Sequence, residues 1–275
     1  MTDWCFFFTI TVVFRNILQG IKTMELLTLA AYLDEVLDCA SFHDSSANGI
    51  QVENRTTIKK VALAVDACLE AIEKAAAQNC NLLIVHHGLF WGAQQLMIDP
   101  HYSRIRALVQ ADMALYAAHL PLDAHSQLGQ NAQIAQALAL ERTEPFAVYY
   151  GKAIGVRGSL ASVVSRDEIA RVLTEKIGPQ QAFFTFGPEN IQTVAIVAGS
   201  ATEPDLFREL KNQGIDLFIT GEPKHGAMYM ARELELNIFY GGHYQTETFA
   251  MKALAAHLRE TFNLQAEFID TPCIL

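Results

Sequence analysis

The chain has 275 residues, 51% of them hydrophobic and 18% charged, with a formal net charge of −10. That length supports one large or two ordinary α/β domains with well-covered cores, and the composition is that of a globular protein, not a disordered or fibrous one. The acidic balance argues against a general nucleic-acid binder, because affinity for phosphate comes from clustered Lys and Arg.

The N-terminal stretch opens with a dense apolar run, Trp4–Phe14. It is far shorter than the ~20 residues a membrane span needs, has Asp3 rather than a basic segment in front, and shows no clear cleavage site. A second start lies at Met24, where an amphipathic helix begins (MELLTLAAYLDEVL). Residues 1–23 are therefore expected to be a poorly constrained extension, one that translation from Met24 would omit, with an added edge strand as the rival reading. The five cysteines (Cys5, Cys39, Cys68, Cys80, Cys273) are an odd number without CxxC spacing. They read as small core residues in a reducing compartment, which places the protein in the cytoplasm with no membrane partner.

Two later stretches read alike. From Ile58 comes a strand (Val61–Val65), Asp66 placed to cap a helix, an Ala-rich helix to Ala77, and an apolar strand (Leu82–Val85). From Ile191 comes a strand (Val194–Ala198), a Gly-Ser turn, a helix entered at Pro204, and an apolar strand (Leu217–Thr220). Apolar strands of this kind, separated by helices, predict parallel sheets buried on both faces. The likeness continues through a helix around Tyr102–Gln110 and the strand Met113–Ala118, ending in His119-Leu-Pro-Leu-Asp123. Its counterpart is a helix around His225–Leu236 and the strand Asn237–Gly242, ending in His243-Tyr-Gln-Thr-Glu247. The expected fold is thus two similar α/β lobes related by internal duplication, with mostly parallel or mixed sheets and flanking helices. Their spans are 24–146 and 147–275, and the C-terminal strand (Ala266–Asp270) is free to cross back to the first lobe. Between the repeats, Ile154–Leu160 reads as a strand, Ser165-Arg-Asp-Glu168 as a capping box before a helix closed by Gly178-Pro179, and Phe183–Phe186 as a short strand.

In open parallel sheets ligands bind beyond the carboxyl ends of strands. Here those ends carry His86-His87, His119 with Asp123, His243 with Glu247, and Glu222. Neutral imidazole and carboxylate suit Zn, Mn, Fe or Co. If a helix starts at His243, that residue and Glu247 share one face. Pro121 predicts a tight loop rather than a helix through the first copy. His86 and His87 would point to opposite faces of a continuing strand, and Gly88 permits a turn that brings both inward or splays them onto two metals. Five ligands exceed the needs of one metal, whereas two metals sharing a bridging carboxylate use them naturally. A lone His-His pair or a single HxxxE would read as structural; their recurrence at matched strand ends is what points to metal. His125 is an outside candidate, and His43, His101, His225 and His257 read as surface or core residues. No GxxxxGK[ST], post-strand GxGxxG, GxSxG or HExxH occurs.

Asn48-Gly-Ile-Gln-Val-Glu53, Val85-His-His-Gly88, His119-Leu-Pro-Leu-Asp-Ala-His125, Gly129-x-Asn131, Leu217-Phe-Ile-Thr-Gly-Glu222 and Gly242-His-x-x-x-Glu247 run in order across nearly all of Met24–Pro272. Jointly they resemble the GTP cyclohydrolase 1 type 2 homologs, also called Nif-three-like dinuclear-metal proteins, in the short form without an inserted domain. The resemblance implies a dinuclear site in a cleft between two lobes, with His86, His87, Asp123, His243 and Glu247 as ligands and Glu247 bridging. His119 would stand beside them as an outer partner or occasional ligand. It also implies a ring-shaped homohexamer.

The function expected is a hydrolase acting on a nucleotide-like substrate. A metal-activated water would open a purine ring or cleave a phosphoester, with His119 and Glu222 moving protons. The alternative is a non-catalytic metal-binding, regulatory or interaction protein.

Overall fold

A computed structural model describes residues 23–273; both readings of the N-terminal stretch fall on residues outside that range. In chain order the elements are α1 (Leu26–Val36), β1 (Gly49–Val52), β2 (Lys60–Asp66), α2 (Leu69–Ala77), β3 (Leu82–His87), α3 (Asp99–Gln110), β4 (Ala114–Ala117), α4 (Leu120–Ala124) and α5 (Gln130–Ala137). There follow β5 (Glu141–Tyr149), β6 (Lys152–Ser165), α6 (Arg166–Lys176), β7 (Ala182–Thr185), β8 (Asn190–Ile196) and α7 (Pro204–Asn212). The last are β9 (Leu217–Thr220), α8 (Ala227–Glu233), β10 (Asn237–Tyr240), α9 (His243–Phe262) and β11 (Gln265–Phe268). They form an α/β protein with two mixed sheets flanked by helices. The chain divides into two compact units, one built on Asp44–Ala118 and Met251–Thr271 with the segment through Ala40, the other on His119–Ala250 with Ser41–His43.

The first unit holds a five-stranded sheet ordered β1-β4-β3-β2-β11. β11, β2, β3 and β4 are parallel, and β1 closes the edge antiparallel to β4. The apolar runs of β2 and β3 follow from burial on both faces. On one face Ala62, Ala64, Leu83, Val85, Leu115 and Ala117 pack against Ala71, Ile72 and Ala75 of α2 and Leu108 of α3. On the other, the Tyr116 hydroxyl donates to Asp34 of α1 at 2.7 Å. The cap of α2 is not Asp66: β2 runs through that residue, and Cys68 Sγ accepts from Ala71 N–H at 3.4 Å instead.

The second unit holds a six-stranded sheet ordered β5-β6-β8-β9-β10-β7. β8, β9 and β10 are parallel, and the pairs β5/β6, β6/β8 and β7/β10 are antiparallel. Strand alternation sends Ala195, Phe218, Ile238 and Tyr240 toward Phe207 and Leu210 of α7 and Ala227 and Ala231 of α8. It sends Val194, Ile196, Leu217, Ile219 and Phe239 toward Ile134 of α5 and Ile169 and Leu173 of α6. α6 begins as its capping box predicts, with Ser165 Oγ accepting from Glu168 N–H at 3.2 Å. Two elements depart from expectation. β5 has no apolar alternation to announce it; it is an edge strand with Pro145 within it and its first five residues exposed. Pro121 does not prevent a helix, because it occupies the first turn of α4, where no intrahelical N–H is required.

Phe207 is fully buried and lies 6.4 Å, ring to ring, from Phe218. Truncating it leaves a cavity that neighbours on two elements cannot close, so Phe207→Ala is expected to destabilise the protein by about 3–5 kcal/mol, read from urea unfolding midpoints.

Candidate metal centre

β3 ends in two adjacent imidazoles that are held from opposite sides. His86 is fully buried, and its Nδ1 lies 3.0 Å from the Ala118 carbonyl beyond the end of β4. His87 Nδ1 lies 2.9 Å from Asp66 Oδ1 at the end of β2. A carbonyl and a carboxylate can only accept, so each Nδ1 carries the hydrogen and the neutral ring presents its lone pair at Nε2, the form a metal requires. The turn after the pair is clamped by Gln51 of β1: its Nε2 donates to Ala47 O at 2.7 Å, and its Oε1 accepts from Leu89 N–H at 2.6 Å. A Cβ at Gly88 would overlap that carboxamide, so glycine here lets Gln51 hold the turn in this position.

In the second unit α9 begins at His243, two glycines after the end of β10. One helical turn on, Glu247 lies on the same face, with Oε1 3.1 Å from His243 Nε2; Glu222, just past β9, reaches His243 Nδ1 at 3.2 Å. The glutamate at the helix is 3% exposed. Burial pulls the His243 imidazole down, but its hydrogen bond to Glu247 and the charges of Glu247 and Glu222 outweigh this and push it up to about 9. The proton on Nε2 thus occupies, against Glu247, the place a cation would take. The loop after β8 completes the cradle. Gly199 has φ +69°, and a Cβ on it would overlap Glu247 Oε1 and stand 3.2 Å from His243 Nε2.

Among the described residues, two sets of three side chains offer ligand atoms within 4.8 Å of one another: His86, His87 and His119, and His87, His243 and Glu247. Imidazole and carboxylate in this proportion fit a first-row divalent cation by the chemistry of the donor set. Of the other sequence candidates, Asp123 lies on α4 and stands in neither set, and Glu222 holds the far nitrogen of His243. His125 Nδ1 accepts from the backbone N–H groups of Gln127 and Leu128 at 3.1 and 2.9 Å, a turn role. His43, His101, His225 and His257 also stand outside both sets.

The Duf34/NIF3 (NGG1p interacting factor 3) profile matches residues 24–273. The chain belongs to the Duf34/NIF3 family. A GTP cyclohydrolase 1 type 2 homolog of Archaeoglobus fulgidus is 40% identical over 249 residues, covering 90% of this chain and 99% of that one. A solved protein of Thermus thermophilus is 41% identical with a TM-score of 0.83, covering 92% of this chain and all (100%) of that one. A further solved structure, protein ybgI, of unknown function, is 32% identical with a TM-score of 0.84, covering 91% and 99%. The family match runs through residues 147–190 without an extra domain. Among the described residues of this NIF3 chain no helix is long and apolar enough to cross a membrane.

Four residues of the site escaped sequence reasoning in their present roles: Asp66, Gln51, Gly199 and Asn131. Gln51 and Asn131 lie inside the motifs that carry the family resemblance, yet their roles depend on distant partners, Leu89 at 38 positions and Ala198 at 67. The cradle at Gly199 is directly testable. Gly199→Ala adds a methyl group where Glu247 lies, on a backbone that disfavours it, and elemental analysis should find the purified variant depleted of metal while wild type retains it. Proton linkage is a second test. Uptake of metal by metal-free protein must expel the His243 proton, so apparent affinity should rise with pH and level off above about 9. Calorimetry in buffers of different ionisation enthalpy would detect that proton, and an affinity flat below pH 9 would contradict the assignment. In the metal-free protein the same raised value contributes stability that is complete below the ordinary 6.5 and fades as pH climbs through about 9.

Proposed function

We propose that this NIF3 protein is a dinuclear-metal-dependent hydrolase acting on a nucleotide-like substrate, by ring opening of the kind the GTP cyclohydrolase name implies or by phosphoester cleavage. The observation that carries the reading is the pair of donor sets, which together offer five side chains, His86, His87, His119, His243 and Glu247, more than one cation needs. The single lone pair of His87 Nε2 would serve one of two ions, and a carboxylate is the group able to bridge them. His86, His87, Asp123, His243 and Glu247 are the proposed ligands, with Glu247 bridging, and Zn, Mn, Fe or Co the proposed ions. Such cations supply Lewis acidity and a nucleophile at neutral pH. The chain's own part is orientation and proton transfer. Asp66 and Glu222 would fix the rings of His87 and His243 through Nδ1, and His119 and Glu222 are the proposed proton carriers. Lys224 is engaged by Glu203 at 3.7 Å, which leaves the choice between a purine ring and a phosphoester to experiment.

The echo of β2-β3-β4 in β8-β9-β10, the same parallel order with an antiparallel strand against the last member of each, supports an origin by internal duplication. We further infer a toroidal homohexamer as the family resemblance implies, and a cytoplasmic location, which the free Cys39, Cys68, Cys80 and Cys273 suit.

Elemental analysis joined to activity screening of one preparation tests the proposal. Wild type is expected to carry two divalent cations per chain and the His86→Ala, Glu247→Ala double variant to lose them. A nucleotide panel with Mn or Zn should show turnover that Asp123→Ala abolishes. Retained metal without turnover of any nucleotide would favour the non-catalytic metal-binding reading, and metal-free wild type would remove both.

A further inference from the structure

The motif Gly129-Gln130-Asn131 has no ligand atom in either donor set, yet it opens α5 beside both ligand-bearing segments of its unit. Asn131 is 1% exposed and Gln130 fully buried. The Asn131 carboxamide makes three backbone hydrogen bonds. Its Nδ2 donates to Ile154 O at 2.6 Å and to Asp123 O at 3.4 Å, and its Oδ1 accepts from Ala198 N–H at 2.8 Å. Ala198 immediately precedes Gly199, whose own N–H goes to Thr246 Oγ1 at 3.1 Å, one residue before Glu247. Gln130 Oε1 accepts from Ala250 N–H on α9 at 2.8 Å, three residues beyond Glu247. Gly129 closes the arrangement, because a Cβ there would overlap the carbonyls of Leu122, Asp123 and His125.

We propose that Asn131 is a positioning residue of the metal centre, an inference that rests on the metal reading above. One buried amide ties the backbone of the Asp123 turn to the backbone of the Gly199 loop, against which His243 and Glu247 lie. Only a side chain with both a donor and an acceptor at that reach serves both segments: a carboxylate lacks the donor, and an aliphatic residue lacks both. Groups of this kind do not touch the metal, but they set the separation of the atoms that do.

The same unit supplies its own control. Asn237 is also 1% exposed and makes the same three kinds of bond, to Gly187 N–H at 3.0 Å, Pro188 O at 2.8 Å and Asp216 O at 2.9 Å. It does so at the amino end of β10, the end of the strand opposite His243. Asn131→Ala and Asn237→Ala in the full chain therefore separate positioning from general stability. Both variants should lower the melting temperature of metal-free protein. Asn131→Ala alone should weaken Zn(II) binding, measured by chelator competition, by about 10–100-fold and alter the visible spectrum of Co(II)-loaded protein. Wild-type affinity and spectrum in Asn131→Ala would overturn the proposal, as would equal weakening in Asn237→Ala. Should Asn131→Ala fail to fold, Asn131→Asp keeps the volume and the acceptor for Ala198 while losing the donor; unchanged Zn(II) affinity there is equally fatal. Wild type that binds no Zn(II) at all would instead defeat the metal reading itself.

Discussion

Parallel pairing obliges neighbouring strands to finish at the same edge of a sheet, and the chemistry of this protein depends on that constraint. In the first sheet β2 ends at Asp66 and β3 at His87, register partners of one another, so carboxylate and imidazole meet at 2.9 Å without any loop to bring them. In the second, β9 leads to Glu222 and β10 to His243, and the two meet at 3.2 Å. In both sheets an acid at one strand tip engages Nδ1 of a histidine at the next. The opposite nitrogen of each ring is thereby aimed outward from the sheet edge, which is how a rigid scaffold presents ligands without relying on loop conformation.

The energetics of the second sheet's cluster explain why it wants a cation. Glu247 is nearly buried, and a carboxylate in that position is costly unless a positive charge faces it. In the metal-free protein His243 supplies that charge by keeping its proton up to about 9. The glycine at position 199 lets the loop after β8 approach this pair closely: a methyl group there would overlap Glu247 Oε1, on a backbone with φ +69° that disfavours one. Proton and cation compete for one place, and the surrounding carboxylates favour either over neither.

Near the ligand-bearing ends of each unit, an amide does the positioning that a carboxylate cannot. Gln51 clamps the turn after His86-His87, and Asn131 ties the Asp123 turn to the Gly199 loop. An amide can donate and accept at once, so a single side chain satisfies backbone groups of two segments without adding charge to an already charged site.

Much of this was legible in the order of residues. Apolar runs such as Leu82–Val85 and Leu217–Thr220 announce two-sided strands, because burial on both faces leaves no room for polar alternation. His-x-x-x-acid after matched strands announces the strand ends from which His119, His243 and Glu247 enter the donor sets, although Asp123 stands in neither, and Ser165 announces the start of α6. These are local signals, complete within a few residues. What only the tertiary structure decided is which partners meet. β5 carries no apolar pattern because it lies at an edge, α4 forms because Pro121 falls in its first turn, and Asp66 serves His87 rather than α2 because β2 extends through it. The hydrogen-bond partners of Asn131 and the space beside Gly199 belong to this second class. Local sequence determines what an element is; the register and crossovers between elements far apart in the chain determine whose atoms share a few ångströms, and no short stretch of residues encodes that distance.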